Sequence, residues 1–336
     1  MILLKKILLV LTGGTIGSML HDGIISADSS VCRVQKLYEK SCPDNNINFV
    51  TVNPFTILSE NLETLHWEKL IHFILSFDIK DYDGIIITHG SDTLTYSSAM
   101  LGICLHGLGI PVVITASDYV PDDPKSNALF NFRAAVSLIC QKSDGVYTVY
   151  KNHTDTVARV FTPTRMCQDR LNDLFMPSDM TETASIDENG TLVQSESKIN
   201  LCYLEKKKNT LNLSELHFSK SVMLIHPYPS INYDSFTLTP ETGAVILVTY
   251  HSGTVSEKAE SIIARCKEMN VPLFLCSLKR NNDSLYETNN FLIQKGAVPL
   301  YDISVESAYA KVLLGINLSY PLADFLQTDL YFEKME

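Results

Sequence analysis

Ile7-Leu8-Leu9-Val10-Leu11-Thr12-Gly13-Gly14-Thr15-Ile16-Gly17 sets the pattern of the whole chain: an apolar run of strand length stops abruptly in hydroxyls and glycines. The run shows no polar alternation, so it reads as a strand covered on both faces, as in a parallel sheet flanked by helices. The same grammar repeats outward from it. Residues 31–40 are amphipathic, 49–52 apolar, 62–77 amphipathic and 84–88 apolar, and the series continues through 94–105, 111–115, 127–140 and 145–150. Such alternation predicts a doubly wound α/β unit with a mostly parallel sheet.

From 178 to 215 the composition turns polar, as in Ser178-Asp179-Met180-Thr181-Glu182-Thr183 and Asp187-Glu188-Asn189-Gly190, with short strand-like pieces near Leu192 and Leu201. The alternation then returns at 222–225, 244–249, 255–269, 272–276 and 305–315. The expected organisation is therefore a larger N-terminal catalytic domain over 1–190, a linker over 191–214, and a smaller α/β domain over 215–336.

Composition narrows the function. With 45% hydrophobic and 19% charged residues, the 336-residue chain has ample material for a core and is not a disordered class. Its 27 Lys+Arg against 38 Asp+Glu give a net charge of −11, and its longest basic run is Lys206-Lys207-Lys208, which argues against a nucleic-acid partner. Residues 93–117 carry no formal charge and could span a bilayer, but His106, Gly107, Gly109 and Pro111 interrupt them. A buried helix followed by a buried strand is expected there, and no membrane partner. The apolar run after Lys5-Lys6 is shorter than the roughly 7 to 15 residues of a secretory core segment. Cys32, Cys42, Cys104, Cys140, Cys167, Cys202, Cys266 and Cys276 are scattered without a paired spacing and read as reduced core residues of a cytoplasmic protein.

In a parallel sheet, ligands bind beyond the carboxyl ends of the strands. Two strand ends stand out: Thr12-Gly13-Gly14-Thr15-Ile16-Gly17, and Thr88-His89-Gly90-Ser91-Asp92-Thr93. Both set hydroxyls beside glycines, where backbone N–H groups can approach a substrate carbonyl, as an acyl-transfer site requires. A dinucleotide loop fits the first poorly, since position 12 is threonine and Val52-Asn53-Pro54 lacks the acid that holds a ribose. For Ser91-Asp92 the competing reading is a helix N-cap. Asp122-Asp123, between Pro121 and Pro124, reads as a solvated turn. His66 and His72 share a helix without a third ligand in sequence, so no metal is expected.

Taken together, Thr12-Gly13-Gly14-Thr15-Ile16 and His89-Gly90-Ser91-Asp92-Thr93 resemble the bacterial-type L-asparaginase family, most of all its cytoplasmic type I branch. The similarity extends through Ser59-Glu60-Asn61-Leu62 with Trp67, Pro111-Val112-Val113-Ile114-Thr115, Asn131-Phe132-Arg133-Ala134-Ala135, Tyr250-His251-Ser252-Gly253 and Val305-Glu306-Ser307-Ala308. The resemblance implies that Thr15 is the nucleophile that attacks a side-chain amide, forms an acyl-enzyme and releases ammonia. Ser91 stands where the family has threonine and would position water. Asp92 would bind the α-ammonium of a small amino-acid substrate and Ser59 its α-carboxylate, with Gly14, Gly90 and Glu60 in the same binding pocket. No cofactor is implied. Glu306 and Thr254 match positions that complete the family's site across a subunit boundary, which implies a homodimer or homotetramer.

Three positions depart from the family. Its lid tyrosine falls in His21-Asp22-Gly23-Ile24-Ile25, where Ile24 aligns; its catalytic lysine falls in Val160-Phe161-Thr162-Pro163-Thr164-Arg165-Met166-Cys167, which has no lysine; and Lys125-Ser126-Asn127 replaces a small residue, Ser and Asp. A threonine hydroxyl needs a group to take its proton, and an arginine, always charged, cannot. Asp92, His89, Lys125 and the substrate carboxylate are the substitute bases within the motifs, with Tyr119 or Tyr250 as replacement phenols. The expected activity is hydrolysis of L-asparagine to aspartate and ammonia. The alternatives are another or larger amide, or a homologue that binds an amino acid without turnover.

Overall fold

A computed structural model describes residues 4–21, 24–27, 32–43, 46–195, 199–278 and 286–335, of which 19–21, 24–27 and 278 are described by backbone alone. Contacts divide the chain between Ser214 and Glu215 into two compact units.

In the first unit, the strands are β1 (Lys5–Leu11), β2 (Ser18–His21), β3 (Ile24–Ala27), β4 (Ile47–Val52), β5 (Gly84–Thr88), β6 (Val112–Thr115), β7 (Val146–Tyr150), β8 (Ala158–Phe161), β9 (Met166–Asp169), β10 (Leu174–Pro177), β11 (Ala184–Ile186) and β12 (Leu192–Gln194). The helices are α1 (Arg33–Ser41), α2 (Thr64–Leu75), α3 (Leu94–Leu105), α4 (Ala128–Gln141) and α5 (Leu201–Lys206). The main sheet runs β12-β11-β8-β7-β6-β5-β1-β4. Its β4-β1-β5-β6-β7 part is parallel, and β8, β11 and β12 extend it antiparallel. The expected doubly wound, mostly parallel sheet is thus present.

Its strands are apolar throughout because both faces are covered: Ile7 to Val10 and Ile85 to Ile87 are fully buried. The uncharged stretch 93–117 divides as expected into a buried helix, α3, and a buried strand, β6. Helix α3 shows no amphipathic stripe because nearly every residue is covered, and its serines are matched individually. Trp67 Nε1 donates to Ser97 Oγ at 2.8 Å, and Thr148 Oγ1 to Ser98 Oγ at 2.8 Å. No helix among the described residues is long and apolar enough to cross a membrane.

Two sequence readings are corrected. The strand expected near Leu201 is the helix α5: Asn200 Oδ1 accepts the Tyr203 N–H at 3.1 Å, starting a turn that buries Leu201 and Leu204. The polar stretch read as a linker therefore holds a sheet strand, β12, and a capped helix. The cysteines, all free, are core residues only in part: Cys32, Cys104, Cys266 and Cys276 are buried, whereas Cys140 and Cys202 are exposed. Burial pushes the Cys32 thiol up to about 11 and the Cys276 thiol up to about 12.

The second unit carries a parallel sheet of β13 (Ser221–Ile225), β14 (Thr242–Val248), β15 (Leu273–Leu278) and β16 (Val298–Tyr301), in that order, with α6 (Glu260–Glu268), α7 (Glu287–Gln294), α8 (Val305–Asn317) and α9 (Leu322–Gln327). Helix α8 holds a buried ion pair, Lys311 Nζ to Glu333 Oε1 at 2.6 Å. Lys311 also donates to Thr328 O, and Glu333 accepts the N–H groups of Leu330 at 2.9 Å and Tyr331 at 2.7 Å. Burial lowers the Lys311 pKa against the pull of Glu333.

Candidate active site

The carboxyl end of β1 is tied down before it reaches Thr15. Thr12 is buried, and its Oγ1 donates to Thr88 O at 2.8 Å, so the first hydroxyl of the motif joins β1 to β5. Gly13 and Gly14 then take φ values of 102° and 71°, which side chains rarely allow. Gly14 N donates to Ile57 O at 3.0 Å, and Ile57 N to Thr12 O at 3.1 Å, drawing the segment that leads to Ser59 alongside. Gly14 O closes the turn by accepting Gly17 N at 3.1 Å and Ser18 Oγ at 2.7 Å. Thr15 opens the short 3-10 turn Thr15–Gly17, half-buried.

Three loops meet at one point. A β-carbon on Gly14 would lie 2.4 Å from Gly90 Cα, and one on Gly90 would lie 2.3 Å from Ser59 Oγ. Thr15 and Ser91 are therefore each the residue following a glycine of a touching pair. Buried Ser59 donates from Oγ to Asp92 Oδ2 at 3.2 Å, and its carbonyl accepts Thr93 Oγ1 at 3.1 Å. Asp92 is exposed and Ser91 half-buried. The N-cap reading of Ser91-Asp92 is not what is observed: the cap residue of α3 is Thr93, without a side-chain cap, and the Asp92 carboxylate accepts from Ser59.

Other residues of the motifs have other work. His89 is buried and its Nδ1 meets Gly90 O at 2.8 Å; a carbonyl only accepts, so this nitrogen carries the proton. Burial lowers the His89 pKa, leaving a neutral ring that braces the Gly90 carbonyl. Arg165 is paired to Asp179 at 2.6 Å. Lys125 lies exposed on a turn, where its N–H donates to Asp123 Oδ1 at 2.8 Å, and Asp122 pairs with Arg33 at 2.6 Å, so the paired acids form a surface turn. Glu60 is exposed beside Ser59. His66 Nδ1 accepts the Glu63 N–H at 3.0 Å in a capping box, and no metal-binding group of three or more acids, histidines or cysteines occurs among the described residues. Residues 22 and 23 of the lid-tyrosine segment lie outside the described residues, as do the side chains of 21, 24 and 25. A cleft of about 440 Å³ lined by Lys5, Tyr38, Arg133 and Cys140 sits by the start of β1, at the opposite end of that strand from these loops.

One group escaped the sequence reading. Asp118, just beyond β6, receives a hydrogen bond from Tyr150 Oη and another from Asn127 Nδ2 at 3.0 Å. Desolvation, with the charge of Asp173, pushes its carboxyl up to about 6, against the opposing pull of His153 and Lys151. Its position directly after a buried strand was the available signal.

Gly14→Ala is expected to reduce any activity of this site by about 100-fold or more, because the methyl group would force Gly90 away and the backbone would be strained at φ 71°. Steady-state kinetics alongside a thermal melt would check it; a wild-type rate would mean that the Gly14–Gly90 contact is not part of the site.

The family described as "Asparaginase, N-terminal" matches residues 6–198. Curated relatives include a subunit of the glutamyl-tRNA(Gln) amidotransferase of Methanosphaera stadtmanae, 25% identical over 92% of this chain and 71% of that protein, and the protein of the same name from Pyrococcus abyssi, 26% identical over 92% and 72%. Among solved structures, the thermostable L-asparaginase from Thermococcus kodakarensis superposes with a TM-score of 0.78 at 19% identity, covering 98% of this chain and 99% of its own. L-asparaginase I from Vibrio cholerae gives 0.76 at 18% identity, covering 99% of each chain. At such identities the structures share the fold. Since the family match takes in more than half of the sequence, the chain belongs to the asparaginase family, and its fold is that of the family's amidohydrolases.

Proposed function

We propose that the protein hydrolyses the side-chain amide of L-asparagine, giving L-aspartate and ammonia without a cofactor. The observation that carries this reading is the Ser59–Asp92 hydrogen bond packed against the Gly14–Gly90 contact. The Ser59 hydroxyl and the Asp92 carboxylate lie side by side where the loops that carry Thr15 and Ser91 touch, and on this reading the Ser59 proton turns from Asp92 to the substrate's α-carboxylate as the α-ammonium takes its place on Asp92. Asp92 and Ser59 hold the α-ammonium and α-carboxylate of the substrate, Thr15 attacks the amide carbon, and Ser91 positions the water that cleaves the acyl-enzyme. Holding the amino acid by both charges turns attack into an intramolecular step. The working protein is a cytoplasmic homodimer or homotetramer.

Ammonia release from asparagine, glutamine, D-asparagine and N-substituted asparagines tests this. L-Asparagine should be the preferred substrate, and Asp92→Ala should raise its KM by about 10- to 100-fold, the loss of a charged hydrogen bond worth roughly 1.5–3 kcal/mol. An unchanged KM would place the substrate elsewhere.

A second reading is favoured by the relatives' name: the amide is a source of ammonia for a partner protein that acts on an aminoacyl-tRNA. Turnover by the chain alone, unaffected by any partner, would support the first reading over it.

A further inference from the structure

We infer that Asp118, clamped by Tyr150 and Asn127 beyond the end of β6, accepts the proton that the attacking hydroxyl releases, through the hydroxyl of Ser91. The inference rests on the amidohydrolase reading above and supplies a base where residues 160–167 hold no lysine. Its first support is register. Thr88 and Thr115 are partners on adjacent strands, and His89 N donates to Thr115 O at 2.8 Å. Ser91 and Asp118 each lie three residues past these partners, so both follow neighbouring interior strands out at the same, carboxyl end of the sheet.

The second support is how firmly the carboxyl is held. Tyr150 closes β7 with its ring buried, and its hydroxyl donates to Asp118 Oδ1. Asn127, at the head of α4, donates to Asp118 Oδ2 at 3.0 Å, accepts the Asp118 N–H at 3.0 Å and donates to Lys151 O at 2.8 Å. Two separate elements thus hold this half-buried carboxyl in one place. The charged groups that face it are Lys151 and His153 from the segment after β7, which favour the carboxylate, and Asp173 from the loop before β10, which opposes it. Burial exceeds these influences and brings the carboxyl to about 6, where it is a base at neutral pH yet holds a proton well enough to return it.

The proton balance closes. As the Thr15 Oγ–carbon bond forms, the hydroxyl proton passes by way of Ser91 to Asp118; as the carbon–nitrogen bond breaks, the same proton goes to the leaving nitrogen and ammonia departs. Water then attacks the ester, its proton follows the same path, and it is finally returned to Thr15 as aspartate leaves. The carboxylate ends as it began.

The test is the pH dependence of kcat for wild type, Asp118→Asn, Tyr150→Phe and Thr15→Ala, with circular dichroism on each. The wild-type rate should fall below a pH of about 6 as the carboxyl takes up a proton. Asp118→Asn should lose about 100-fold in kcat with KM changed by less than about threefold, and should lose that acid limb. Tyr150→Phe removes a donor to the carboxylate, so its limb should move to higher pH. An Asp118→Asn enzyme with the wild-type limb and kcat, or an unmoved limb in a folded Tyr150→Phe, would overturn the inference. In either case Thr15→Ala stays inactive if the underlying reading holds. Turnover by Thr15→Ala, or none by wild type, would instead bring down that reading and the inference together.

Discussion

Thr15→Ala is expected to cut ammonia release from L-asparagine by about 10³-fold or more while leaving the melting temperature nearly unchanged. The chemical half follows from the proposed acyl-enzyme, which cannot form without the hydroxyl. The structural half follows from the turn itself: its closing bonds run from Gly17 N and Ser18 Oγ to Gly14 O, and none needs the Thr15 side chain. Thr15→Ser should recover part of the rate. Thr12→Ala provides the contrast, because the Thr12 hydroxyl is committed to Thr88 O and buried; its loss should cost stability, about 0.5–1.5 kcal/mol. If Thr15→Ala released ammonia at the wild-type rate, the assignment of the nucleophile would be wrong.

Lys311→Ala should give the largest loss of stability, about 3–5 kcal/mol, by leaving the Glu333 carboxylate buried without its cation. Glu333 would keep the N–H groups of Leu330 and Tyr331, which hold the last turn of the chain, but two amide dipoles do not replace a full charge at 2.6 Å. A drop in Tm of more than about 10 °C should follow. Removing both charges, with Lys311→Met and Glu333→Gln together, should recover much of the loss, since the glutamine can still accept from the backbone and no unpaired charge remains. A double variant no better than Lys311→Ala would show that packing at Lys311, rather than charge pairing, governs the effect.

The parts of the fold that were legible in the sequence are those where one physical effect dominates. Ile7 to Leu11 and Ile85 to Ile87 are apolar without alternation because both faces of the sheet are covered, and residues 93–117 resolve into a helix and a strand at Gly107 and Pro111. The strand-like piece near Leu192 is β12, whereas β8 and β11 were hidden because each is only three or four residues long, and β11 finds its place in the sheet by pairing Ala184 with Val160 across an intervening hairpin, β9 and β10. Leu201 was misread because a single side-chain cap, Asn200, decides between strand and helix there. In the candidate site, Gly14 and Gly90 were legible as glycines at strand ends, but their mutual contact was not, since it needs the register of β1 against β5. The Tyr150–Asp118 bond was invisible for the same reason: the two residues are 32 apart in sequence and meet only through the pairing of β6 with β7.

A crystal structure of the protein with L-aspartate tests the proposed site most directly. The ligand's side-chain carboxyl should lie between Thr15 Oγ and Ser91 Oγ, with its ammonium on Asp92 and its α-carboxylate on Ser59. Aspartate bound at another place, or lying with its side chain away from both hydroxyls, would contradict the assignment.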